Sequence, residues 1–153
     1  MKRSAGVLLY QMEAGVLRVL LVHPGGPFWA KRDLGAWSIA KGEYEPPEDA
    51  ETAARREFAE ETGLDLTGPL IPLGEARQPS GKRVTAFAAD LPFDVAALKS
   101  NRFEMEWPPK SGRRQSFAEI DRAAWFGMDE ARRRILPGQA LFLDRLEQIR
   151  MRP

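Results

Sequence analysis

The chain of 153 residues has no cysteine. That excludes disulfides and thiolate chemistry, and it makes a reducing, cytoplasmic setting the expected address. There is one histidine, His23, close to a strand end before Pro24. It reads as a structural or rim residue, and no Cys-based or Ser/His/Asp nucleophile suggests itself. No apolar run reaches the length that spans a bilayer, so no membrane partner is expected. The run that follows the basic start "MKRSAGVLLYQME" is too short for a signal peptide. The formal net charge is only +1, so the balance of charge points to no polyanion and no nucleic-acid partner is expected. Repeats, linkers and low-complexity tracts are absent. The length and a hydrophobic share of 43% fit one domain, residues 1–153, with an ordinary core.

The placement of charge says more than its sum. From Glu43 to Glu61 there are eight acidic residues and two basic ones. Basic residues gather at Lys31–Arg32, Lys82–Arg83, Arg113–Arg114 and Arg132–Arg133–Arg134. Separated clusters of both signs suit a site that holds cations and, through them, an anionic ligand. Any one cluster alone would be an ordinary solvated face.

"AGVLLYQ" and "VLRVLLVHP" are β-rich runs on either side of Met12–Gly15, as in a hairpin or neighbouring strands. The loop "HPGGPFWAKRDLG" leads to a short strand, "AWSIA". Pro46–Pro47 bar a helix there. Asp49 is a suitable N-cap, and Ala50 to Thr62 is rich in helix formers. Gly63 suits the position after the last turn. Ala50, Ala54 and Phe58 would form a narrow apolar face. "LIPLGEA", "RVTAFAADL", "FEMEW" and "IDRAAWF" read as strands and "SGRRQSF" as a basic loop. Helices are expected over about 129–135 and 139–150, the latter turning Leu141, Leu143, Leu146 and Ile149 toward a core. Strands mixed with a few helices predict an α/β domain with a mixed sheet.

Within the predicted helix, Glu57, Glu60 and Glu61 stand three and four positions apart, which places them on one face. Such like-charge pairs each cost roughly 0.2–0.5 kcal/mol of helix stability. A solvated charged helix would tolerate them. A bound cation would use them, and all-oxygen donors select Mg²⁺, Mn²⁺ or Ca²⁺ over zinc or copper. Arg55 and Arg56 are placed to orient a carboxylate.

The preceding loop extends the pattern. Gly42 is followed by five free positions, Glu48, seven more, then Arg56–Glu57–Phe58, one free position, Glu60–Glu61, one free position, Gly63 and Leu64. These 23 residues resemble the Nudix signature at every specified position. "WSIAKG" before the box and "DRAAWFGMDEA" near the end also look like that family. The resemblance implies an α/β/α sandwich with a mixed β-sheet, in which a catalytic loop–helix–loop binds metal and diphosphate. It implies Mg²⁺, with Mn²⁺ as a substitute, and hydrolysis of a nucleoside diphosphate linked to another group. By resemblance Glu57 and Glu61 ligate the metal directly, Glu60 assists or binds a second ion, and the Gly42 carbonyl adds a donor. Glu48 steadies the loop through Arg56, which in turn orients Glu57, while Phe58 and Leu64 anchor the box.

Several members of the family carry a further carboxylate six residues before a late Trp. Here that Trp is Trp125 and the carboxylate is Glu119, an additional metal ligand or general base, with Glu104 and Glu106 as rivals. Lys41 is the best-placed phosphate cation, and Lys82, Arg113 and Arg114 are loop candidates. Phe28, Trp29 and Trp37 border the Gly/Pro loop, where an aromatic ring could stack on a nucleobase or simply pin the loop. Trp107 could wall a pocket. "WSIAKG" resembles a W-x-x-P-K-G element of enzymes acting on dinucleoside polyphosphates and diphosphoinositol polyphosphates, with Ala40 in place of the proline. Diadenosine polyphosphate hydrolysis is therefore expected, with nucleoside triphosphates next and a silent nucleotide-binding module as the non-enzymatic alternative. A monomer or a homodimer fits equally.

Overall fold

The structure is a computed structural model and describes residues 2–151. Strand β1 (Arg3–Glu13) is the axis of the fold. Its second half pairs antiparallel with β2 (Val16–Pro24) across a tight turn in which Ala14 and Gly15 both take positive φ, 51° and 80°. Two such residues in succession match the right-handed twist of a two-residue hairpin. The first half of β1 pairs antiparallel with β3 (Ala40–Tyr44), so β2 and β3 share the same edge of β1. On the other edge β1 runs parallel to β5 (Arg83–Asp90), which is flanked by β4 (Ile71–Arg77). Beyond β2 lies β8 (Ile120–Gly127), giving the order β4–β5–β1–β2–β8.

Both faces of this mixed sheet are covered, which is why β1 and β2 read as continuous apolar runs instead of alternating. Ala5, Val7, Leu9, Leu20 and Val22 pack with Ala53, Ala54 and Phe58 of helix α1 (Ala50–Thr62). Leu8, Tyr10, Leu17, Val19 and Leu21 face the other way, onto Ala131 of α2 (Met128–Arg134) and Phe142, Leu143 and Leu146 of α3 (Ala140–Arg150). The result is the α/β/α sandwich with a mixed sheet that the resemblance implies. Ile149 departs from expectation: it lies on the outer side of α3 and is 45% exposed.

Two segments differ from their sequence reading. In "AWSIA" only Ala40 belongs to a regular strand, and Trp37 and Ser38 make single bridges, because this stretch crosses between β2 and the end of α2. "SGRRQSF" is not a loop throughout. Its second half is β7 (Arg114–Ala118), paired antiparallel with β6 (Arg102–Glu106) in a two-stranded sheet separate from the main one.

Helix α1 follows local rules closely. The Asp49 carboxylate accepts the Thr52 N–H at 2.7 Å, and Gly63 closes the last turn at φ 82°, its N–H donating to the Ala59 carbonyl. Phe58 is 1% exposed, a burial worth about 1.5–3 kcal/mol, and this holds the acidic helix at a set depth beside β3.

Candidate active site

The loop between β3 and α1 is tied back to the helix by one arginine. Arg56 Nε and Nη2 donate to the two oxygens of Glu48 at 2.9 and 2.8 Å, a side-on, bidentate pair. Its remaining nitrogen, Nη1, donates to Glu57 at 2.8 Å and reaches Glu60 at 3.3 Å. One guanidinium thus sets the position of three carboxylates, and its own pKa is raised chiefly by the bond to Glu48.

The three helix glutamates do not converge. Glu57 is half-buried, Glu61 is turned inward, and Glu60 lies on the outer, exposed side against Arg56. Among the described residues no three acidic or histidine side chains close into a metal cage. Mutual repulsion and the pull of Arg56 account for the separation: Glu57 and Glu60 are drawn to the cation, and Glu61 is left facing β3. The inward pair is therefore Glu57 and Glu61, one turn apart.

Their environment penalises negative charge. The Glu61 carboxyl is pushed up to about 8, chiefly by burial and then by the charges of Glu57 and Glu119, which the Lys41 ammonium and backbone N–H offset only in part. Burial also raises Glu57; Arg56 opposes this, while Glu60 and Glu119 add to it. Burial lowers the Lys41 ammonium, and Lys82 adds to that against the opposing pull of Glu61, Glu43 and Glu57. Anionic oxygens pushed toward protonation by one another are the groups a hard divalent cation would relieve, and they are the right donors for one. The backbone agrees. A Cβ at Gly42 would fall on the Glu57 carboxylate, so only glycine lets that carboxylate lie against the β3 backbone. The residues present fit a divalent ion at Glu57, Glu61 and the Gly42 edge.

A cavity of about 200 Å³ opens beside this pair, lined by Lys41, Glu61, Glu119, Trp29, Ser38 and Ile120 among others. Glu119 sits between β7 and β8 and is held on both sides: its N–H donates to the Asn101 carbonyl and its carbonyl accepts the Gly25 N–H, each at 2.8 Å. The rival carboxylates are engaged elsewhere. Glu106 accepts the Lys110 and Gly112 N–H groups and so caps the β6–β7 turn, and Glu104 faces Arg114 at 3.9 Å on the exposed side. Arg113 is exposed in that same turn and does not line the cavity. Lys82 reaches Glu43 at 3.3 Å, at the outer edge of β3.

Among the aromatic candidates, Trp37 is a core residue, 3% exposed, packed edge-on against His23 and Phe126, with its indole N–H donating to Asp33. Trp29 lines the cavity with the Arg32 guanidinium 5.4 Å from its ring centre. His23 is fully buried and tethers the loop, one ring nitrogen 2.6 Å from the Arg32 carbonyl and the other 2.8 Å from Asp121. Sequence reasoning missed Gln139. This buried amide accepts the Ile39 N–H at 3.0 Å and donates to Ser38 Oγ at 3.0 Å, gripping the chain just ahead of Lys41 and Gly42. It lies 100 residues from its partner, and nothing local marks it.

An acidic helix against a mixed sheet, with Lys41, Glu61 and Glu119 lining one cleft, goes with a hydrolase acting on phosphorus-containing anhydrides. The chain belongs to the Nudix family: residues 1–146 match the NUDIX domain. Enzymes of this family generally use divalent metal ions. An Ap4A hydrolase from C. elegans, solved as a binary complex, is 21% identical, with 97% of each chain covered and a TM-score of 0.64. The NUDIX domain of NrtR from Shewanella oneidensis, solved with ADP ribose, is 16% identical over 96% of this chain and 86% of its own, at 0.62. The E. coli ORF135 protein is 23% identical over 100% and 95%, at 0.60. At such identities the likeness establishes the fold. No curated protein matches the sequence. No helix among the described residues is long and apolar enough to cross a membrane.

Proposed function

We propose that the chain is a Mg²⁺-dependent pyrophosphohydrolase that cleaves a phosphoanhydride bond in nucleoside diphosphate-linked substrates, diadenosine polyphosphates being the favoured type. The observation that carries this is the crowding of Glu61 with Glu57, Lys41 and Glu119: burial and the two neighbouring carboxylates push its carboxyl up to about 8, where Glu61, Lys41 and Glu119 line one cavity. That crowding is unfavourable for the protein alone and makes sense as a grip for cation and phosphate together. The structure of an Ap4A hydrolase among its neighbours supports the substrate preference.

In this reading Glu57, Glu61 and the Gly42 carbonyl hold the ion, with Glu60 as an outer donor. When bound, such an ion neutralises phosphate charge and makes water more acidic. Arg56, braced by Glu48, fixes the Glu57 oxygen that does not face it. Lys41 holds phosphate oxygens from the β3 side. Glu119, across the cavity and anchored through its backbone, takes the proton of the attacking water or adds a metal donor. Water attacks one phosphorus in line and the neighbouring phosphate leaves, with no covalent enzyme intermediate. Trp29 offers a ring face for a base. A cytoplasmic location fits the absence of cysteine.

The test is product analysis with Mg²⁺ on diadenosine polyphosphates, nucleoside triphosphates and ADP-ribose, for wild type and Glu57→Gln. Phosphoanhydride cleavage of the dinucleotides that the variant loses is the expected result. Faster turnover of nucleoside triphosphates would shift the reading to nucleotide clearance. Failure to cleave any substrate would leave a nucleotide-binding module.

A further inference from the structure

Among the described residues the β6–β7 hairpin has no hydrogen-bonded partner strand in the main sheet, and a two-stranded sheet alone is marginal in water. The Gly/Pro loop supports it. A Cβ at Gly25 would fall on the Ala118 carbonyl, and one at Gly26 would meet the Phe103 ring at 2.9 Å. Two residues on, Phe28 packs edge-on against Trp107, ring centres 5.5 Å apart. The loop therefore climbs the hairpin from Glu119 at its base to Trp107 near its tip.

Alternation on β6 puts Phe103, Met105 and Trp107 on the face toward this loop, with Arg102, Glu104 and Glu106 outward. Phe103 and Phe117 fill the lower part against each other. The upper part is open: Phe28 is 64% exposed, and Trp107 is only half-buried. Arg113 stands beside Trp107, its carbonyl accepting the Trp107 N–H at 2.9 Å. Trp29, next to Phe28 in the chain, lines the catalytic cavity. One aromatic thus belongs to the cavity, and the next begins an exposed aromatic pair leading away from it.

We propose that Phe28 and Trp107 form a second base-binding site, which stacks the distal nucleobase of a dinucleotide whose phosphate chain runs from the cavity along the loop. The site rests on the proposed function for its ligand class, since a substrate with one base would have nothing to place there. Phe28 is 64% exposed, so its edge-on contact with Trp107 leaves most of the ring open to a base.

The experiment compares diadenosine tetraphosphate with adenosine 5′-tetraphosphate by calorimetry, Ca²⁺ replacing Mg²⁺, on wild type, Phe28→Ala, Trp107→Ala and Trp107→Phe. Stacking of one base predicts that wild type favours the dinucleotide by roughly tenfold or more. Both alanine variants should bring that ratio close to one while leaving adenosine tetraphosphate affinity unchanged, and Trp107→Phe should keep most of it. Phe28→Ala removes an exposed side chain and guards against misfolding of the Trp107 variant. A wild-type ratio near one, a ratio unchanged in Phe28→Ala, or no binding of either compound overturns the second site. A ratio that depends on the ring pair in a protein that cleaves no anhydride overturns the enzymatic reading and leaves this site standing.

Discussion

The Arg56 guanidinium lies side-on along the Glu48 carboxylate, two N–H donors meeting its two oxygens at 2.9 and 2.8 Å. Only Arg has the planar fork for this while keeping a third nitrogen for Glu57. Arg56→Lys keeps the charge and loses the fork. It is expected to lower kcat/KM by about 10- to 100-fold, in the range seen when groups that orient metal ligands are lost. Steady-state kinetics across Mg²⁺ concentrations would check this, with a higher Mg²⁺ concentration for half-maximal rate as the signature.

Glu57 and Glu60 both touch Arg56, but only Glu57 is half-buried against β3. Glu57→Gln should cost on the order of 10³-fold in kcat, as loss of a transition-state electrostatic group does. Glu60→Gln should cost less, about tenfold. Equal losses would show that Glu60 is as much a metal donor as Glu57.

Glu61 gives a pH signature. In the folded protein its carboxyl is pushed up to about 8, against 4.5 for an ordinary glutamate. The folded state therefore holds a proton that the unfolded chain has released, between pH 4.5 and about 8. Metal-free stability should fall as pH rises through that window and level off above it. Glu61→Gln should flatten the slope. Mg²⁺ should stabilise more at pH 8.5 than at pH 6, because below about 8 the ion must first displace the proton. Thermal unfolding against pH, with and without Mg²⁺, measures both.

Two glycines of the box separate fold from function. Gly63 sits at φ 82°, where a Cβ costs roughly 1–2 kcal/mol, so Gly63→Ala should lower stability by about that much and spare most activity. At Gly42 an added Cβ would fall on the Glu57 carboxylate, so Gly42→Ala should abolish turnover with a smaller effect on unfolding. Denaturation and kinetics on the same preparations distinguish the two cases.

Helix α1 was legible to the residue because its signals are local: Asp49 as cap, helix formers within, Gly63 at the end. The motif also foretold the Arg56–Glu48 pair. Strand β7 was not legible. "RRQSF" carries no apolar alternation, and its pairing with β6 comes from the turn that Glu106 caps. The "AWSIA" segment has strand composition, yet its neighbours on both sides are remote in sequence, and they allow only single bridges.

From sequence alone came the chemistry of the box: oxygen donors at helical spacing, a glycine ahead of them and an arginine between. These depend on neighbours a few residues apart, where helix and strand periodicity governs. Tertiary structure alone decided that Glu61 turns inward while Glu60 turns out, that Glu119 is anchored across the cavity, that Trp37 is core, and that Phe28 meets Trp107. Each of those outcomes is set by which distant surfaces exclude water together, and packing across many residues of separation leaves no periodic trace in the chain.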